Sequence, residues 1–204
     1  MKNVDTQIII IDDNIPKDDP IIEELRIEGF KVLLFEVPDV GLRFLKDHLE
    51  KRNIVVLDIM FDSSKLDGHK ILEKIREYSH LIPVILWSAV NEKKEAFSDF
   101  INNAAFAFVK KGARSYLSVV EKVKQANEWL NNSVEGMIEE WIDIRERLQK
   151  YNKQPYLIEA EGKSYTLEQL RQEIRQQTPV GQRFIKDLHM LTLDLLLRNK
   201  EKLK

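Results

Sequence analysis

The sequence predicts an α/β fold: a flavodoxin-like, doubly wound, five-stranded parallel sheet, then a long helix and a small, mainly helical C-terminal section with a β-hairpin. Three observations lead there. Short apolar runs recur five times over the first 115 residues, each about four residues long and apolar on both faces. Strands covered by helices on both sides read this way. Amphipathic stretches at helical spacing separate the runs, and strand followed by helix, repeated, is the pattern of a parallel sheet wound in both directions. From Ser115 onward the period changes to steps of three and four, which ends the sheet.

The five runs are Ile8–Ile11, Val32–Phe35, Ile54–Leu57, Val84–Trp87 and Phe106–Val109. Between the first two, Asp19-Pro20 reads as an N-cap and first helical residue, and Gly29 as the stop. Leu42, Leu45 and Leu49 share one helical face, as do Ile71, Leu72 and Ile75. After the fifth run, Val123, Ala126, Leu130, Val134, Met137, Trp141, Ile144, Leu148 and Tyr151 keep helical spacing. Residues 115–151 are therefore one helix of about 55 Å at 1.5 Å per residue, or two helices broken near Asn131-Asn132-Ser133. The stripe from Leu130 to Leu148, with Trp129 and Trp141 packing the helix, is apolar enough to require burial in a homodimer or against the C-terminal section.

Asn152–Pro155 reads as a linker. Tyr156–Ile158 and Ser164-Tyr165 flank Glu161-Gly162-Lys163, a hairpin pattern. Thr166 with Gln169 fits a capping box, Leu167, Leu170 and Ile174 form a short apolar stripe, and Thr178-Pro179 opens a last helix through Leu197. The expected division is a domain over 1–128, a helical extension or linker over 129–152, and a small output or interaction module over 153–204.

Composition narrows the function. Hydrophobic residues are 43% and charged residues 32%, the balance of a globular protein with a real core. A net charge of −2 gives no general attraction to nucleic acid or membrane. The absence of cysteine excludes disulfides, thiolate metal sites and thiol catalysis, and fits a reducing cytoplasm. The apolar run before Asp12 is too short for a signal-peptide core or a membrane span, so no membrane association is expected.

Ligands of such sheets bind at the carboxyl ends of the strands. There stand Asp12 and Asp13 after the first run, Asp58 after the third, Ser88 after the fourth and Lys110 after the fifth. Three clustered carboxylates repel one another unless a hard divalent cation sits among them, and Mg²⁺ suits oxygen ligands. A carboxylate beside such a metal can attack phosphorus and form an aspartyl-phosphate. Lys110, Ser88 and the metal can then serve the phosphoryl oxygens. Taken singly, each residue has a plainer reading as a helix cap or a solvated side chain; what carries weight is all of them together at four strand ends. His48, His69, His80 and His189 show no metal-ligand spacing, and Asp62 and Asp67 read as loop solvation and a helix cap.

At these residues the chain resembles the response-regulator receiver family of bacterial two-component systems. The likeness covers about 1–130. It rests on Ile11-Asp12-Asp13-Asn14, Val56-Leu57-Asp58-Ile59-Met60, the glycine of Leu66-Asp67-Gly68, Leu86-Trp87-Ser88-Ala89 and Val109-Lys110, with intervals of 30 residues from Asp58 to Ser88 and 22 from Ser88 to Lys110. The resemblance implies that Asp58 is the phosphoacceptor. It implies that Asp13, Asp58 and the Met60 backbone carbonyl bind Mg²⁺, that Asp12 assists through metal-bound water, and that Ser88 and Lys110 contact the phosphoryl group. Three departures stand out. Phe61-Asp62-Ser63-Ser64-Lys65 replaces the family's Met-Pro and is about two residues longer. The family's aromatic three residues before the lysine falls on Ala107, between Phe106 and Phe108. The family's Lys-Pro, often cis, is Lys110-Lys111, which should be trans because a cis bond is far costlier without proline.

The expectation is thus a cytoplasmic phosphoprotein that takes a phosphoryl group from a histidine kinase or phosphotransfer protein, with Mg²⁺, and signals to an output protein through 153–204. It is not expected to be an enzyme beyond self-phosphorylation from small donors and self-dephosphorylation. The alternative is a DNA-binding regulator using the helix-turn-helix-like segment around Thr178-Pro179. Against it, residues 152–204 carry ten Lys/Arg and seven Asp/Glu, a net +3. Arg171 and Arg175 share a helix face with Glu168 and Glu173 close by, and the last helix is dominated by Phe184, Ile185, Leu188, Met190, Leu191, Leu193, Leu195, Leu196 and Leu197. A helix so apolar must be buried, with the faces its own section leaves bare covered by the long helix, a second copy or a partner, whereas a recognition helix offers polar side chains to base edges. No catalytic triad, phosphate loop or metal cluster follows residue 115.

Overall fold

A computed structural model of the chain describes residues 6–49, 51–61, 68–89, 105–133, 136–138, 141–142, 144, 157–158 and 162–201. Asp62, Asp67, Val134, Leu148, Tyr151 and the 152–155 linker lie outside the described residues. The chain divides into two compact units, Met1–Trp129 and Leu130–Lys204.

In the first unit five parallel strands form one sheet: β1 (Thr6–Ile11), β2 (Lys31–Phe35), β3 (Arg52–Leu57), β4 (Val84–Ser88) and β5 (Ala107–Lys110), in the order β2-β1-β3-β4-β5. Ile8 to Ile11 are all fully buried, as expected of a strand with helices on both sides. Strand side chains alternate between faces. Ile9, Ile11, Val55, Leu57, Val84 and Leu86 therefore share one face with Leu42 and Leu45 of α2 (Pro38–Asp47) and Ile71, Leu72 and Ile75 of α3 (Gly68–Tyr78). Two other helices, α1 (Pro20–Ile27) and α4 (Ser115–Asn132), are joined by an ion pair from Lys124 to Glu28 at 3.2 Å. Asp19 caps α1 by accepting from the Ile21 N–H at 3.0 Å, Pro20 is its first residue, and Gly29 follows at φ +89°. Fully buried Val119, Val123 and Ala126 line α4.

The helix breaks at Ser133, the second of the two readings. Its Oγ accepts from the Gly136 N–H at 3.1 Å and its carbonyl from the Met137 N–H at 3.0 Å, which caps the helical turn resumed at 136–138. In the second unit the expected apolar stripe is displaced by one position. Ile138 and Ile142 are buried with Leu130, while Met137 and Ile144 are about half exposed. The break restarts the helical phase, and a stripe extrapolated through it is carried onto the wrong face.

The hairpin forms from β6 (Leu157–Ile158) and β7 (Ser164–Tyr165), antiparallel, with Gly162 at φ +83°. The capping box at Thr166 and Gln169 opens α5 (Leu167–Arg175). Thr178 accepts from the Gly181 N–H at the start of α6 (Pro179–Glu201), which packs on α5. A Cβ on Gly181 would lie 2.3 Å from the Glu173 carbonyl oxygen, so the tight turn between these helices needs glycine. The described side chains cover only part of α6, and of these Met190, Leu191, Leu193, Leu195 and Leu197 are each more than half exposed. The reason is length. With 9 residues against 23, α5 can accompany only the first part of α6.

Candidate functional site

Register brings the acidic residues together. Ile11 pairs with Leu57 and Leu57 with Leu86; one residue further along these strands stand Asp12, Asp58 and Trp87. Ligand oxygens of Asp12, Asp13 and Asp58 all lie within 4.8 Å of one another, the one such group of metal-ligating side chains among the described residues. Asp12 and Asp58 are buried and Asp13 is half-buried. Asn14 orders the pair at the end of β1: its N–H donates to Asp12 Oδ1 at 2.9 Å and its side-chain amide to Asp13 Oδ1 at 2.8 Å. Asp58 Oδ1 accepts from the N–H groups of Ile59 at 2.6 Å and Met60 at 3.2 Å. Met60 is thus seen at the site through its N–H, with its side chain exposed.

The lysine at the site is Lys111, not Lys110. Lys111 Nζ donates to Asp12 Oδ2 and to Asp58 Oδ2, both at 2.6 Å. Lys110 is the last residue of β5, paired in register with Ser88, and is exposed. The cause is strand alternation: Lys110 shares the parity of Phe108, and Lys111 that of Val109 and Trp87. The fifth strand also begins and ends one residue later than the apolar run suggests. With the lysine reassigned, the position three residues before it is Phe108, an aromatic, and the apparent departure at Ala107 disappears. That spacing rule was the signal in the sequence that favoured Lys111. The peptide bonds of the loop are trans, and no cis bond occurs among the described residues.

Ser88 is fully buried at the end of β4, and its Oγ has no hydrogen-bond partner among the described residues. Its carbonyl accepts from the Lys111 N–H at 2.8 Å. A buried hydroxyl without a partner costs free energy, which an added acceptor or donor at this position would offset. Gly68 lies against the backbone that follows β3. Its N–H donates to the Ile59 carbonyl at 3.0 Å, and a Cβ there would meet Ile59 Cα at 2.6 Å and the Asp58 carbonyl oxygen at 2.8 Å.

Electrostatics follow from this crowding. Burial raises the Asp12 carboxyl above its ordinary value, against the opposing hydrogen bond from Lys111. For Lys111 burial favours the neutral amine, but the hydrogen bonds to Asp12 and Asp58 outweigh it and hold the ammonium above its ordinary value. Three carboxylates against one ammonium leave an excess of negative charge. An all-oxygen donor set with that excess fits a hard divalent cation, and the unpartnered Ser88 hydroxyl fits an oxyanion beside it.

The model of the response regulator receiver domain matches residues 8–124. Among solved structures, the chain is similar to a CheY-like receiver domain protein from Methanospirillum hungatei, at 22% identity and a TM-score of 0.53, over 60% of this chain and 94% of that one. It is similar to the receiver domain of NtrX from Brucella abortus, at 25% and 0.52, over 60% and 98%. It is also similar to a chain of the CheX-CheY-BeF3-Mg complex from Borrelia burgdorferi, at 25% and 0.52, over 59% and 87%. No curated protein matches the chain.

Proposed function

Since the chain belongs to the response regulator receiver family, we propose that it is a two-component response regulator whose Asp58 accepts a phosphoryl group from a histidine kinase or phosphotransfer protein. The observation that carries the reading is the Asp12, Asp13 and Asp58 cluster with Lys111 hydrogen-bonded to Asp12 and Asp58. In the transfer an Asp58 carboxylate oxygen forms a bond to phosphorus as the donor's P–N bond breaks, and the electron pair leaves on the donor nitrogen. Lys111 and the Ser88 hydroxyl meet the phosphoryl oxygens, and the Ile59 and Met60 N–H groups hold the acceptor carboxylate in place. Asp13 and Asp58, with the Met60 carbonyl, would hold Mg²⁺, with Asp12 assisting through metal-bound water, and the ion would supply positive charge to the transferring group.

The chain so read has no turnover activity beyond accepting phosphoryl groups from small donors and losing them again. It works in the cytoplasm, in keeping with its lack of cysteine; no described helix is long and apolar enough to cross a membrane. The second unit is the output, a protein-interaction module. The apolar side chains exposed along α6 support this. The DNA-binding reading is weakened by Arg171 and Arg175, which are 6% and 5% exposed and so do not face a phosphate backbone.

The test is labelling with acetyl phosphate and Mg²⁺, followed by intact-protein mass spectrometry. One acid-stable, base-labile phosphoryl group is expected, and none in Asp58→Asn, whose amide is a poor nucleophile and metal ligand. Undiminished labelling of the Asn variant would exclude Asp58.

A further inference from the structure

Trp87 occupies the strand position next to Asp58 and reaches in two directions. Its ring face meets the site: Lys111 Nζ lies 5.6 Å from the ring centroid, inside the roughly 6 Å range over which an aromatic quadrupole attracts a cation. Its edge meets α4: Nε1 donates to Ser115 Oγ at 3.0 Å. The same Oγ accepts from the Gly112 N–H at 3.1 Å, and the Ser115 N–H donates back to the Gly112 carbonyl at 3.1 Å. The indole is 7% exposed, and a cation over a desolvated ring is held more strongly than at the surface. Ser115 is the first residue of α4, which runs unbroken to Asn132 and so carries the chain from one unit into the other.

We propose that Trp87 is a positioning residue for phosphotransfer, steadying the Lys111 ammonium at Asp58 with its ring face and transmitting that ammonium's displacement to Ser115 at the start of α4. A phosphoryl group on Asp58 brings a charge of about −2 and strong acceptor oxygens. It replaces the Asp58 carboxylate charge that held Lys111 and competes with Asp12 for the ammonium, and any shift of the ammonium changes its attraction to the indole. Because the indole is a rigid plate, what moves its face also moves its N–H. Phosphorylation is thereby felt at the helix that leads to the output unit. The proposal rests on the reading of Asp58 as acceptor.

The test has two parts, both on the full chain. With Trp129→Phe and Trp141→Phe, Trp87 is the remaining indole of three. Its emission, followed during acetyl phosphate and Mg²⁺ labelling, should change in proportion to occupancy by mass spectrometry, and stay constant in Asp58→Asn. In the otherwise wild-type chain, Trp87→Leu should label about three- to tenfold more slowly, the size of a lost cation–π contact, and Trp87→Phe, which keeps a ring face, should recover most of that loss. Amide exchange over 112–118 should respond to phosphorylation in the wild type but not in Trp87→Phe or Ser115→Ala, which lack the indole-to-hydroxyl bond. Ser115 is only half-buried, so its alanine variant reports even if Trp87→Leu folds poorly. Normal labelling with constant Trp87 emission, or with unchanged exchange in the wild type, would overturn the proposal alone. Failure of the wild-type chain to label would overturn the acceptor reading and the proposal with it.

Discussion

Lys111 Nζ bridges Asp58 Oδ2 and Asp12 Oδ2 at 2.6 Å each, while its neighbour Lys110 is exposed at the end of β5. Two adjacent lysines of identical chemistry therefore differ wholly in role. Lys111→Ala should slow acetyl phosphate labelling of Asp58 by about a hundredfold, the usual loss on removing one charge-stabilising donor. Lys110→Ala should leave the rate unchanged. Equal effects from the two would contradict the inward placement of Lys111.

The same bridge sets a pH dependence in metal-free buffer. The Lys111 ammonium is held above its ordinary value of 10.5 by its carboxylate partners. A base raised on folding contributes stability that is complete below its unfolded value and lost as pH rises through the folded one. Denaturant melts of wild type and Lys111→Met should therefore converge as pH rises above about 10.5, with the wild type losing more stability over that span. Parallel curves would contradict the bridge.

Gly68 packs against the backbone of Asp58 and Ile59. Gly68→Ala forces a methyl into Ile59 Cα and the Asp58 carbonyl, an overpacking that should cost about 1–3 kcal/mol in urea melts and slow labelling. Gly112, where an added Cβ meets nothing within 4 Å, is the control: Gly112→Ala should stay within about 0.5 kcal/mol.

In the second unit the buried face passes through Ile142 and not Ile144. Ile142→Ala should cost about 2–5 kcal/mol and Ile144→Ala less than about 1 kcal/mol. The reverse order, read by thermal denaturation, would restore the stripe drawn without a break at Ser133.

Mixed duplex DNA should show no salt-sensitive binding by fluorescence anisotropy at micromolar protein, since Arg171 and Arg175 are buried. Micromolar or tighter binding that weakens steeply with salt and is lost in the double alanine variant would return the DNA-binding reading.

The sequence by itself determined the sheet and the acid cluster. Five apolar runs with intervening helix caps specify strands and their order of appearance, and Asp12, Asp13, Asp58 and Ser88 reach one edge because each directly ends or follows a strand. Caps at Asp19, Thr166 and Thr178 were legible because they depend on neighbours within a few residues. Tertiary structure decided what depends on phase. Whether Lys110 or Lys111 turns inward follows from where β5 ends, and a shift of one residue exchanges the faces. The buried side of 136–144 depends on where the helix restarts after Ser133, and exposure along α6 on how far its shorter partner α5 extends. The bond from Trp87 to Ser115 joins residues 28 apart in the chain. No local pattern announces it, because it exists only once β4 and α4 are packed together.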